Sequence, residues 1–239
     1  MGASSGMGLQ IASDFARLGM RVGMAARREE PMKALKEQYP ENTYYKVMDV
    51  TAPDAVKNFY DLIEDIDGMD ILVYCAGCGW QNPDCDAELD ARTVAVNVQG
   101  FTSIVTAAYK YFKDTANVEK GRIAAITSVA GKKGLGCSAA YSASKRYQWT
   151  YLQALDQLAH IQHVNVGITD IRPGFVDTPL LVKDKKYPIE MSVEYAAKKI
   201  EVAILRGRRV AYIDSRWAIV ASLMGAVPNW LWPHLNISL

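Results

Sequence analysis

Gly2-Ala3-Ser4-Ser5-Gly6-Met7-Gly8 opens the chain and runs straight into Leu9 to Leu18, whose apolar residues recur at helical spacing. Glycines let a backbone turn tightly and come close to a phosphate group. That group then rests on the unpaired amides and positive dipole end of the helix that follows. A glycine-rich turn is often only a turn, so the segments around it decide its meaning.

Outward from that loop, strand-like and helix-like segments alternate to the end of the chain. Arg21 to Ala26, Thr43 to Met48, Asp70 to Cys75, Arg122 to Thr127, Val164 to Ile171 and Arg209 to Ile213 read as strands. Pro31 to Gln38, Pro53 to Asp65, Leu89 to Lys113, Ala139 to His160 and Val193 to Arg206 read as helices. The alternation predicts an α/β fold, a three-layer, doubly wound parallel sheet with its site outside the carboxyl ends of the strands. No linker, repeat or low-complexity tract divides residues 1–239, so one domain is expected, with 178–192 covering the substrate and 215–239 forming an apolar tail.

The composition narrows the class. Half of the 239 residues are hydrophobic and the formal net charge is +1, which gives no reason to expect a nucleic-acid partner. No stretch of about 18 apolar residues offers a membrane span and no signal peptide is recognisable, so a cytoplasmic location is expected. Cys75, Cys78, Cys85 and Cys137 make no secreted-type disulfide framework. Cys75-Ala76-Gly77-Cys78 spells C-x-x-C without a second pair or a nearby histidine, and no metal is expected. Asn236-Ile237-Ser238 fits a glycosylation pattern that a cytoplasmic protein would not use.

Tyr141-Ser142-Ala143-Ser144-Lys145 places a phenol and an ammonium four residues apart, on one face of a helix. A lysine beside a tyrosine pulls the phenol from about 10 toward neutrality, where it exchanges protons with an alcohol or ketone. In fixed order the chain also carries the glycine loop, Asn97-Val98-Gln99-Gly100, Ser128 within Thr127-Ser128-Val129-Ala130-Gly131, and Pro173-Gly174 ahead of Asp177-Thr178. Together these closely resemble the short-chain dehydrogenase/reductase superfamily, in its compact single-domain branch, from Gly2 to about Leu180.

The resemblance implies an oxidoreductase that moves a hydride between a nicotinamide and a carbonyl or alcohol. Tyr141 would be the acid or base at the substrate oxygen and Ser128 would hydrogen-bond that oxygen. Lys145 would lower the tyrosine pKa and bind the nicotinamide ribose, and Asn97 would hold a water linking the lysine to solvent. Gly2, Ser4, Ser5, Gly6, Met7 and Gly8 would cradle the pyrophosphate, with Ala76, Gly77, Pro173, Gly174, Val176 and Thr178 lining the rest of the cofactor. Asp49, followed by Val50, matches an adenine-contacting aspartate. Where the family commonly has Asn-Asn-Ala-Gly, this chain has Tyr74-Cys75-Ala76-Gly77, which bears on cofactor fit more than on chemistry.

At the end of the second strand of the family pattern an NAD-preferring member would carry an acid; here Ala26-Arg27-Arg28 stands instead. Arg27 or Arg28 would pair with a 2′-phosphate, so NADP(H) is expected over NAD(H). The substrate is expected to be a small molecule, with Leu135, Gly136 and Cys137 lining its pocket, and the helices Leu89 to Lys113 and Ala139 to His160 are expected to form a homodimer or homotetramer. Two other readings stand beside the reductase. One is a catalytically idle dinucleotide-binding or redox-sensing protein. The other is a membrane-peripheral enzyme using the tail from Trp217 to Leu235 on a lipid-linked substrate.

The pattern also calls for a strand before the glycine loop, between those at Arg21 and Asp70. Without it, two inner edges would lack partners at roughly 1 to 3 kcal/mol per buried group. One expectation is about five to ten further apolar residues upstream of Met1, enough for a typical strand. The other is a short chain with a gapped or closed-up sheet.

Overall fold

The computed structural model describes residues 1–115, 120–181 and 186–237. Its elements follow the sequence pattern closely: α1 (Gly6–Arg17), β1 (Val22–Ala26), α2 (Glu30–Gln38), β2 (Thr43–Val47), α3 (Ala55–Asp65) and β3 (Ile71–Tyr74). Then come α4 (Ala87–Val94), a π-helical turn (Ala95–Gly100), α5 (Phe101–Asp114), β4 (Gly121–Ile126), α6 (Ala139–Ile161), β5 (Val166–Pro173), α7 (Val193–Leu205), β6 (Val210–Ile213) and α8 (Ser215–Ala226). Two differences from the sequence pattern matter. The single long helix expected from Leu89 is broken by the π turn, which widens the backbone at Asn97. β5 runs on to Pro173, paired with Ile213, because the fixed φ of proline suits an extended residue at a strand end.

Among the described residues all strand pairs are parallel, and they fall in two sheets, β1-β2 and β3-β4-β5-β6. The gap lies between β1 and β3, where the sequence pattern calls for a strand. Met1 to Ala3 link the two sides. The Met1 nitrogen donates to Val73 O at 2.9 Å, its carbonyl accepts from Cys75 N at 2.9 Å, and Gly2 N donates to Ala25 O at 2.7 Å.

Helices cover both faces, and β4 shows why. Ile123 and Ala125 enter a core with α3, α5 and α6, whereas Ala124 and Ile126 enter the opposite core with α1, α7 and α8. That is the two-residue period of a strand buried on both sides. Phe101 is fully buried at the centre of the first core, edge-on to Tyr74 with ring centroids 5.3 Å apart. Burial of one such ring contributes about 1.5–3 kcal/mol.

α6 is the element that turns packing into a site. Its buried stripe is Ser142, Ser144, Lys145, Gln148, Trp149, Leu152, Leu155 and Ala159. The spacing is helical throughout, but the stripe is polar at its N-terminal end and apolar beyond Trp149. The apolar half anchors the helix in the core, and the polar half faces the carboxyl ends of β3 and β4.

Candidate active site

The π turn and the loop after β3 are fastened by one side chain. Asn97, fully buried, accepts from Cys78 N through Oδ1 at 2.9 Å and donates through Nδ2 to Cys78 O at 2.7 Å and to Ser144 Oγ at 3.0 Å. A Cβ added to Gly77 would lie 3.3 Å from Asn97 Oδ1 and 3.5 Å from Lys145 Nζ, so this loop threads between the asparagine and the lysine. The side chain of Asn97 thereby fastens the loop after β3 and the N-terminal end of α6 to the π turn. Its backbone carbonyl accepts from Gln148 Nε2 at 2.9 Å.

Ser128 ends the segment after β4 and its hydroxyl accepts from Ala130 N at 3.1 Å. Tyr141 lies beside it, its phenol pushed above its ordinary value first by burial, with the neighbouring Ser128 hydroxyl acting in the opposite sense. Lys145 is 4% exposed and lies 5.7 Å from the centroid of the Tyr141 ring. It donates to Ile126 O and to Gln148 Oε1, each at 3.2 Å. Burial lowers its pKa to about 8, with Cys78, Asp170 and Cys75 pulling the other way. Asn97, Ser128, Tyr141 and Lys145 thus lie around one point, drawn from three segments distant in sequence.

Behind the lysine runs a network that the sequence pattern did not single out. Thr127 Oγ1 donates to Asp170 Oδ1 at 2.6 Å, and Trp149 Nε1 donates to Thr127 Oγ1 at 3.0 Å. Arg172 pairs with Asp170 at 2.6 Å and stacks its guanidinium 3.6 Å from the Trp149 ring centroid. Burial raises the Asp170 carboxyl, and Arg172 is the largest influence holding it down. The available signal was chemical: Asp170 and Arg172 are charged residues two apart, on a strand face otherwise made of Val166 and Ile168.

The remaining predicted cofactor residues lie along the same edge. A Cβ on Gly2 would fall 2.6 Å from Ala76 N, and one on Gly8 would fall 2.3 Å from Gly2 O, so this crossing of loop and helix admits no side chain. Arg28 folds over the loop, donating from Nε to Ser4 Oγ at 3.3 Å and from Nη2 to Ser4 O at 3.2 Å. Ser5 is the N-cap of α1 without a side-chain cap bond, and Met7 packs against the second core. Burial would raise Asp49, yet bonds from Thr51 N and Oγ1 hold it low, helped by Arg27. Val50 packs against Gly100 of the π turn, and Gly6 lies against the Thr178 methyl. Val176 bridges to Met191, and Gly174 is seated on the Trp217 ring next to Pro173 at the end of β5. A bare backbone cradle at a helix N-terminus, flanked by two arginines and an ionised aspartate, fits a phosphate-bearing dinucleotide.

The substrate side is less complete. Leu135 is buried, Gly136 exposed and Cys137 half-buried beside Ser138. Of the expected covering segment 178–192, residues 182–185 lie outside the described residues, as do Ser238 and Leu239 of the tail. The tail folds back: Trp232 Nε1 donates to Gly134 O at 2.7 Å and Lys133 Nζ to Asn229 Oδ1 at 2.7 Å. Ile219, Leu223 and Trp230 remain exposed. Tyr74, in place of a family asparagine, is fully buried, and its hydroxyl has no partner among the described residues. Among the described residues no cluster of metal-ligating side chains occurs and no helix is long and apolar enough to cross a membrane.

Residues 1–188 match the family model described as short chain dehydrogenase. An uncharacterized oxidoreductase of Myxococcus xanthus is 29% identical over 95% of this chain and 91% of its own length. An uncharacterized oxidoreductase of Mycobacterium tuberculosis is 28% identical over 95% of this chain and 92% of its own length. Among solved structures, a short chain dehydrogenase from Burkholderia cenocepacia in complex with NADP superposes with a TM-score of 0.82 at 19% identity, covering 100% of this chain and 96% of that one.

Proposed function

Because this chain belongs to the short chain dehydrogenase family, we propose that it is an NADP(H)-dependent oxidoreductase interconverting a small carbonyl compound and its alcohol. The observation that carries this reading is the meeting of Ser128, Tyr141 and Lys145 beside Gly77, with Asn97 fixing the loop. In it, Ser128 hydrogen-bonds the substrate oxygen and Tyr141 gives it a proton during reduction or takes one during oxidation. Lys145 supplies the positive charge that stabilises the phenolate formed at Tyr141. The bound nicotinamide would supply or accept the hydride at the neighbouring carbon.

Preference for NADP(H) is supported by Arg27 and Arg28, both exposed beside Ser4 and Asp49, and by the absence of an acid at Ala26. The test is NADPH consumption across aldehydes, ketones, sugars and sterols, with Tyr141→Phe as the blank. No turnover of any carbonyl, together with tight dinucleotide binding, would favour the idle binding protein instead.

A homo-oligomer through α5 and α6 is part of the proposal. Tyr147 and Tyr151 stack at 5.7 Å on the half-buried side of α6 and bond to Thr102 and Thr106, giving a continuous two-helix face. Light scattering at micromolar concentration tests it. A second reading, attachment to a membrane surface, is favoured by exposed Ile219, Leu223 and Trp230 in a tail where 217–237 carries no Asp, Glu, Lys or Arg. Flotation with liposomes decides that point.

A further inference from the structure

We propose that Gln148 is a positioning residue for Lys145, its buried side-chain amide orienting the ammonium toward Tyr141 and tying it to the π turn at Asn97. The inference rests on the oxidoreductase reading in one respect, that Lys145 acts on Tyr141.

The geometry is specific. Gln148 lies one helical turn after Lys145 on the same face of α6 and is 1% exposed. Its Oε1 accepts from Lys145 Nζ at 3.2 Å and its Nε2 donates to Asn97 O at 2.9 Å. Reversing the amide would aim its N–H groups at an ammonium and its oxygen at a carbonyl, so the two neighbours fix one orientation. Lys145 is thus held by two neutral acceptors, Gln148 Oε1 and Ile126 O, which leaves its third N–H for the side facing Tyr141. A leucine at this place would pack as well against the apolar half of the stripe. An amide there costs desolvation, which its two hydrogen bonds offset.

Among the described residues the titratable and charged groups facing Lys145 are Tyr141 from its own helix, Cys75 and Cys78 from the end of β3 and the loop after it, and Asp170 from β5 with Arg172 behind it. Burial opposes the charged form of the lysine, and both acceptors favour it. Removing the Gln148 acceptor therefore destabilises the ammonium, whereas a carboxyl in its place still offers an oxygen.

The test is an NMR titration of the full chain with lysines labelled at Cε, the Lys145 signal being assigned with Lys145→Arg. It needs no turnover, so an enzyme without a substrate would remove the oxidoreductase reading and leave this measurement standing. In the unmodified protein the midpoint is expected at about 8. Gln148→Leu should lower it by about one unit or more, and Gln148→Glu should leave it at or above the unmodified value. An unchanged midpoint in Gln148→Leu, or an equal fall in Gln148→Glu, overturns the proposal. If Gln148→Leu does not fold, Gln148→Met, which keeps the length of the side chain without a strong acceptor, takes its place with the same two outcomes.

Discussion

Asn97 clasps the backbone of Cys78 from both sides, accepting its N–H at 2.9 Å and donating to its carbonyl at 2.7 Å. One side chain therefore does for a loop what a strand partner does for a strand, and it acts from inside a π turn. Asn97→Ala leaves the part-buried N–H and carbonyl of Cys78 and the buried Ser144 hydroxyl without that partner, at up to about 1–3 kcal/mol for each group. Urea unfolding should show a loss of at least about 2 kcal/mol. A smaller loss would mean that the clasp is replaceable by solvent.

Tyr141→Phe removes the proton donor but keeps the ring that packs against Gly79. Turnover should fall by about 10² to 10⁴-fold with dinucleotide binding unchanged, because general acid–base groups typically contribute that much. Paired measurements of turnover and cofactor affinity check it, and retention of more than about a tenth of the activity would remove Tyr141 from the reaction.

Arg28 is held to Ser4 by its own hydrogen bonds, and Arg27 lies close enough to Asp49 to lower its pKa. Replacing both arginines by alanine should weaken NADPH binding at least about tenfold, the loss of charge-assisted bonds to a phosphate, and leave NADH nearly unaffected. Ala26→Asp is the expected route to inverted preference, but Ala26 is 8% exposed among Met24, Met32 and Leu35, so it also carries a burial cost. Titrating each variant with both cofactors separates the two effects.

Arg172 neutralises the buried Asp170 and stacks on Trp149. Arg172→Leu leaves a carboxylate that is 4% exposed without its cation. Removing one partner of a buried pair typically costs about 3–5 kcal/mol, far more than the pair itself contributes. Thermal unfolding should show the loss, and the double variant with Asp170→Asn should recover most of it.

Glu201 on α7 and Asp14 on α1 form a carboxyl–carboxylate contact. Burial first, then the bond to Asp14, raises Glu201 from 4.5 to about 7. A folded-state pKa above the unfolded value means that the contribution is complete below about 4.5 and disappears as pH rises through about 7. Glu201→Gln, which keeps a neutral hydrogen-bond donor, should flatten the fall in melting temperature between pH 6 and 8. An unchanged slope would remove this pair from the pH dependence.

The alternation of strands and helices, the glycine loop and the spacing of Tyr141 and Lys145 are local properties, because periodicity and turn chemistry act over a few residues. They were sufficient for the layered fold, for the family and for most element boundaries to within one or two residues, but not for the break at Ala95–Gly100 or for α8 in the apolar tail. What they could not contain is the meeting of segments far apart in the chain. The Asn97–Cys78 clasp joins residues 19 apart, and the Gln148 bond to Asn97 O joins residues 51 apart. Gln148 reads in sequence as one more polar residue on a long helix. Tertiary packing alone decides that it is buried, and a buried amide must find partners for both of its ends.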